Sequence, residues 1–91
     1  MNVPLNEAFE LVVSDLVKEK VYKKFNQALL GEFDARIQKL KIAPEIYGKP
    51  LRKELAGLWE IRFEKRWRIL YEIDKQNKKV TVIDFRHKDE F

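Results

Sequence analysis

Residues 57–74 read GLWEIRFEKRWRILYEID, and no other stretch restricts the fold as tightly. Trp59, Ile61 and Phe63 alternate with Glu60, Arg62 and Glu64, and Trp67, Ile69, Tyr71 and Ile73 then share one parity opposite Arg68. A period of two puts apolar side chains on one face of a strand and polar ones on the other. Strands at 58–63 and 67–74, separated by Glu64-Lys65-Arg66, form a hairpin. A half-buried strand needs polar residues on its wet side, but not arginines.

The rest of the chain supplies what covers the apolar face. Residues 8–13, AFELVV, read as a first strand, and Ser14 and Asp15 are good helix N-caps. Val17, Val21, Phe25, Ala28 and Leu29 fall on one helical stripe that Gly31 is expected to end. Phe33, Ile37 and Leu40 mark a second helix, closed by Pro44. Residues 44–58 hold two prolines and two glycines and read as a connector. A polar turn, DKQNKK, in which Asn77 is expected to be left-handed, leads to a third hairpin-type strand at 79–86. That strand is apolar on both parities, Val80 and Val82 against Thr81, Ile83 and Phe85, and so reads as central and buried on both sides. The order β-α-α-β-β-β predicts an α+β domain over residues 1–91, an N-terminal helical hairpin packed on a small antiparallel β-sheet.

Composition excludes several kinds of chemistry. There is no cysteine and one histidine, His87, so disulfides, thiolate sites and the common zinc sites are not expected. Ser14 is the sole serine and reads as a cap, which leaves a Ser-His-Asp triad without support. No glycine-rich phosphate loop occurs. No apolar run approaches the roughly 18 residues of a membrane span, and the N-terminus carries acids where a signal peptide needs basic residues. These features predict a soluble cytoplasmic protein with no membrane partner, no metal and no cofactor.

The charge is unevenly placed. Residues 1–48 carry seven basic and seven acidic side chains, whereas residues 49–91 carry twelve and eight. The excess points to a polyanionic partner, nucleic acid or an acidic protein, or to ordinary solubilising charge. The basic set is Lys49, Arg52, Lys53, Arg62, Arg66, Arg68, Arg86, His87 and Lys88. Parity places Arg62 and Arg68 on the face away from the apolar rows. Arg86 joins them if its parity, shared with Asp84, is the open one. Three guanidiniums there would hold phosphates through paired hydrogen bonds. The alternative is that they pair with Glu60, Glu64, Glu72 and Asp84 across strands.

The runs KPLRKELAGLWEIRFEKRWRILYEID and KKVTVIDFRHKDEF resemble the RelE/ParE superfamily of type II toxin–antitoxin toxins. The shared pattern is a connector with Pro50-Leu51-Arg52, an aromatic strand over Gly57 to Arg62, the run Arg68-Ile69-Leu70-Tyr71, and the basic turn Arg86-His87-Lys88. The resemblance spans residues 49–91, and the helical half matches by order of elements. It implies the same helical hairpin on an antiparallel sheet. It also implies a metal-independent mRNA endonuclease that works in the ribosomal A site, the RNA 2′-OH attacking the neighbouring phosphate. The implied partners are the ribosome, mRNA and an acidic, RelB-like antitoxin.

Carried over residue by residue, the resemblance gives Arg62 phosphate orientation and Arg68 transition-state stabilisation. Arg86 or Lys88 would protonate the leaving oxygen. Arg52 would contact RNA, with Lys53, Arg66, His87 and Lys88 completing the RNA-binding set. The chain also departs from the pattern. Glu60 stands where ribonuclease members can carry lysine. The turn Glu64-Lys65-Arg66 lacks the usual glycine and makes the Arg62-to-Arg68 spacing one residue longer. The tyrosine that many relatives carry just after the position of Phe91 has no counterpart in this sequence. Arginine cannot act as a general base at pH 7, so the base is unassigned. Two other readings therefore stay open: a ParE-like protein that binds and poisons DNA gyrase, and a catalytically weakened relative that binds RNA or its antitoxin.

Overall fold

Ser14 decides where strand gives way to helix. In the computed structural model, which describes residues 8–90, β1 (Glu10–Val13) ends at this residue and α1 (Asp15–Lys24) begins after it. The Ser14 hydroxyl accepts the Val17 backbone N–H at 3.3 Å, satisfying one of the donors a helix start leaves unpaired. The next break falls at Phe25–Asn26, not at Gly31 as the helical stripe suggested. The Phe25 N–H closes α1 on the Val21 carbonyl, and the Asn26 side chain caps α2 (Gln27–Gln38) by accepting the Leu29 N–H at 2.9 Å. Gly31 therefore lies inside α2, and Ala28, expected on the buried stripe, is exposed.

The early break serves the core. Phe25 drops its ring among Phe33, Phe63, Trp67 and Phe85, with centroids 5.2–6.3 Å away in tilted or edge-on arrangements. Such aromatic pairs add about 0.5–1.5 kcal/mol each beyond the area they bury. Val17, Val21, Ile37 and Leu40 complete the helical side of the core against Ile61, Ile69, Tyr71, Val80 and Val82 of the sheet.

After α2, a 3₁₀ turn at Lys39–Lys41 leads to α3 (Pro44–Tyr47), a one-turn helix. Pro44 opens this helix and does not close the preceding one, which suits a residue with fixed φ and no N–H to offer. The connector then contributes a two-residue edge strand, β2 (Lys49–Pro50), and a 3₁₀ turn at Lys53–Leu55. Three longer strands follow: β3 (Trp59–Phe63), β4 (Trp67–Asp74) and β5 (Lys79–His87).

The sheet order is β1-β5-β4-β3-β2. β3, β4 and β5 pair antiparallel as expected, β2 adds an antiparallel edge strand out of the expected connector, and β1 runs parallel to β5, from Glu10 opposite Lys79 to Val13 opposite Val82. The sheet is therefore mixed within the expected α+β architecture. Strand direction at this edge depends on how the chain between β1 and β5 crosses over the sheet, which alternation does not encode. In the β4–β5 turn the left-handed residue is Lys78, φ 54°, and not Asn77. Asn77 instead donates from its backbone and side chain to the Asp74 carboxylate at 3.1 and 2.8 Å.

One buried tyrosine fastens the connector to the sheet. The Tyr71 hydroxyl donates to the Pro44 carbonyl at 2.6 Å. Gly48 passes so close that a Cβ there would collide with this hydroxyl and with the Glu60 carbonyl. Burial pushes the Tyr71 phenol far up, helped by the nearby Glu45 carboxylate, so the group stays a neutral donor. Gly48→Ala is expected to cost about 1–3 kcal/mol by overpacking. Tyr71→Phe is expected to cost about 1–2 kcal/mol by stranding the Pro44 carbonyl. Urea unfolding midpoints of the two variants test both values.

Candidate nucleic-acid interface

Register, more than proximity in sequence, assembles the site. Arg62 of β3 pairs directly with Arg68 of β4, and Arg68 pairs with Arg86 of β5. With strands about 4.8 Å apart, the three Cα atoms form a row about 10 Å long. The row lies on the face opposite the helices, since Ile61, Phe63, Ile69 and Phe85 point into the core.

The β5 contribution depends on a bulge. Leu70 pairs with Asp84 but Tyr71 pairs with Val82, so Ile83 has no partner on β4. This explains why β5 is apolar on both parities. Val80 and Val82 face the helices before the bulge, and Phe85 faces them after it. The strand is central, yet it does not bury both faces as expected: one extra residue moves the buried set from even to odd numbers.

Like charges set directly across a sheet destabilise it, and this row is only partly neutralised. Asp84 Oδ2 accepts from Arg86 Nε at 2.8 Å, while Asp84 Oδ1 accepts from Lys20 Nζ of α1 at 2.8 Å and from the Phe85 N–H at 2.8 Å. Partial burial pushes the Asp84 carboxyl up, but these hydrogen bonds outweigh it and hold the group below the usual carboxylate range. Glu60 Oε2 lies 3.6 Å from Arg68 Nε, a looser ion pair. Arg62 is exposed and meets no carboxylate among the described residues. Cross-strand pairing thus holds only for Arg68 with Glu60; Arg86 is neutralised by Asp84 of its own strand, and Arg62 by neither route. Glu72 forms no ion pair among the described residues. Glu64 instead faces Glu32 of α2: its hydrogen bond and charge push the Glu32 carboxyl up.

The other expected RNA-binding residues fall in three places. Arg66 sits in the β3–β4 turn and its carbonyl accepts the Lys88 N–H at 2.7 Å, so Arg66 and Lys88 flank the Arg68–Arg86 end of the row. His87 shares the parity of Trp67 and packs edge-on against it at 5.0 Å, facing away from the arginines. Its Nδ1 lies 3.2 Å from the Asp89 N–H and 3.4 Å from the Asp89 carboxylate. Arg52 and Lys53 are exposed in the connector. The Leu51 N–H donates to the Leu58 carbonyl, four residues before Arg62, or about 13 Å along the strand.

Residues outside the expected set also shape the surface. An open groove of about 390 Å³ is lined by Tyr47, Lys49, Glu60, Arg62, Lys65 and Arg36 of α2. Lys20, 64 positions from Asp84, gives no sign in the sequence of reaching it. The turn beside the groove is strained: Glu64 and Lys65 both adopt left-handed backbone conformations, φ 52° and 60°, without glycine. Among the described residues no cluster of His, Asp and Glu is placed to hold a metal ion, and no helix is long and apolar enough to cross a membrane.

A sequence profile for the family described as ParE toxin of type II toxin-antitoxin system, parDE, matches residues 10–90. No curated protein matches the chain by sequence. Among solved structures, the toxin–antitoxin complex RelBE2 from Mycobacterium tuberculosis contains a chain of 26% identity and TM-score 0.75, with 89% of this chain and 99% of that one covered. The YoeB/ParE toxin from Agrobacterium tumefaciens superposes with TM-score 0.73 at 19% identity, covering 87% and 98%. The archaeal RelE–RelB complex from Pyrococcus horikoshii does so with TM-score 0.71 at 13% identity, covering 92% and 99%. The last two likenesses concern the fold.

Two outcomes follow from the electrostatics and the turn. The stability contributed by Asp84 is complete above its unfolded value near about 3.9 and is lost as pH falls through the lower folded value. Asp84→Asn should therefore lower the melting temperature at neutral pH and flatten its fall in acid, measured by thermal unfolding across acidic buffers. Lys65→Gly should raise unfolding free energy by up to about 1 kcal/mol by relieving the left-handed strain, measured in the same assay at pH 7.

Proposed function

The chain belongs to the ParE toxin family of type II toxin–antitoxin systems, and on that premise we propose that it is a ribosome-dependent endoribonuclease cutting mRNA in the A site. The observation that supports this reading is the Arg62–Arg68–Arg86 row on the sheet face opposite the helices. A phosphodiester laid across it meets three permanent cations, of which Arg62 is uncommitted to any carboxylate among the described residues.

In the proposed reaction the RNA 2′-OH attacks the adjacent phosphorus, the P–O5′ bond breaks, and a 2′,3′-cyclic phosphate and a 5′-OH result. Arg62 orients the phosphate from the strand edge. Arg68, between the other two, meets the charge that grows on the phosphorane. Arg86, held in place by Asp84, adds a fixed positive charge at the third position. Arginine keeps its proton throughout, so the leaving oxygen is protonated by Lys88 or by solvent. Arg52, Lys53, Arg66 and Lys88 extend the basic surface toward RNA, and binding through them is salt-dependent.

The partner proposed for the toxin is a cognate acidic antitoxin. The basic excess of residues 49–91 and the derivation of similar folds from RelBE complexes support it. Gyrase poisoning is the second reading, because the matching family is described as ParE toxin.

Purified protein incubated with programmed ribosomes should yield mRNA cut at the A-site codon. Arg68→Ala and Arg86→Ala should each lower the single-turnover rate about 10²–10³-fold. Full activity in both variants would overturn the arginine mechanism. Growth arrest with DNA breaks and intact mRNA would replace it with the gyrase reading.

A further inference from the structure

The arginine row leaves one proton without an acceptor. When the 2′-OH attacks, something must take its hydrogen, and no arginine can. The described side chains near the row offer few other groups. The Tyr71 hydroxyl is buried and committed to the Pro44 carbonyl. His87 faces the opposite side of the sheet against Trp67. Asp84 has both oxygens occupied, by Lys20 and the Phe85 N–H on one and by Arg86 on the other.

Glu60 differs from all of these. Its side chain is only 15% exposed, yet its one charge contact is Arg68 Nε at 3.6 Å, beyond good hydrogen-bond length. No hydrogen bond among the described residues ends on its carboxylate, and none of its oxygens is sealed from solvent. It shares the face and strand of Arg62, two residues away, and lines the same open groove. Its direct partner on β4 is Leu70, 1% exposed, so a buried leucine stands beside it on the same face. The sheet therefore holds one shielded carboxylate with unused lone pairs beside the cations that would grip the phosphate.

We propose that Glu60 is the general base of the cleavage. The step rests on the ribonuclease reading above. A Glu60 oxygen takes the 2′-OH proton as the O2′–P bond forms. The P–O5′ bond breaks with its electron pair on O5′, which is protonated by Lys88 or water. The Glu60 carboxylic acid then returns its proton to solvent, and nothing is oxidised or reduced. The charged groups facing Glu60 are Arg62 on its own strand, Lys49 directly across on β2, Arg68 on β4, and Lys65, Glu64 and Arg36 around the groove. This predominantly cationic ring draws the substrate phosphate toward the carboxylate.

The test is single-turnover cleavage of mRNA on programmed ribosomes at saturating protein, across pH, with ribosome binding measured in parallel. Removing a general base lowers the rate about 10²–10⁴-fold. Glu60→Gln should show such a loss, bind ribosomes as the parent does, and lack the fall in rate that the parent shows in acid. Glu60→Asp, the milder change, should recover part of the rate. Glu60→His should cleave with its acid limb at higher pH than the parent's, because an imidazole keeps its proton to higher pH than a carboxylate does. If Glu60→Gln cuts within about threefold of the parent while Arg68→Ala is inactive, the base assignment fails and the ribonuclease reading stands. If Glu60→Gln loses ribosome binding and cleavage together, Glu60 is a binding residue and the assignment fails. If the parent protein cuts no mRNA, the ribonuclease reading itself fails and takes the base with it.

Discussion

One residue without a partner on the neighbouring strand, Ile83, organises both faces of the sheet. Between the Leu70–Asp84 and Tyr71–Val82 pairs the register slips by one. Continued alternation from Val82 would turn Asp84 and Arg86 toward the helices and Phe85 outward. That arrangement would bury two charged groups, at several kcal/mol each even after relaxation, and give up roughly 1.5–3 kcal/mol of phenylalanine burial. The slip avoids both costs and, in the same move, sets Arg86 opposite Arg68. Core packing and the assembly of the cationic row thus have a common cause, as is frequent for bulges beside functional sites.

Charge compensation along the row is graded. At β5, Asp84 ties Arg86 and Lys20 together through short hydrogen bonds. At β4, Arg68 has a looser ion pair with Glu60. At β3, Arg62 is exposed and meets no carboxylate among the described residues. The uncompensated end adjoins the open groove and the left-handed turn at Glu64 and Lys65. Neutralised charge on one side and accessible charge on the other are what the proposed phosphate-binding role calls for. Tyr71, the aromatic residue of the strand motif, belongs to the support: its hydroxyl is spent on Pro44, and Gly48 packs against it.

Much of this was legible in the residues. Alternation located β3 and β4 and separated Trp59, Ile61 and Phe63 from Arg62, and the tight spacing made a hairpin. The same parity rule put Arg86 on the open face once the bulge supplied the register. The misread points share a feature. Glycine is the stronger local signal and points to a helix break at Gly31, but the core needs Phe25 among four other rings, and Asn26 caps the helix that follows. The two-sided apolarity of β5 suggests two-sided burial, although the switch from Val80 and Val82 to Phe85 is what a bulge looks like in sequence. His87 adjoins Arg86 in sequence, and alternation alone sends it to the other face.

The sequence by itself determined which residues share a face in each strand, where most elements begin, and the basic excess of the second half, because alternation, caps and composition are local properties. Tertiary structure decided the parallel pairing of β1, the slip at Ile83, and how far the carboxylates beside the arginine row are engaged. These depend on partners far apart in the chain: Lys20 meets Asp84 across 64 positions, while Glu60 is left with only a 3.6 Å approach to Arg68. A carboxylate's chemistry follows from whether its lone pairs are occupied, and only the folded chain settles that.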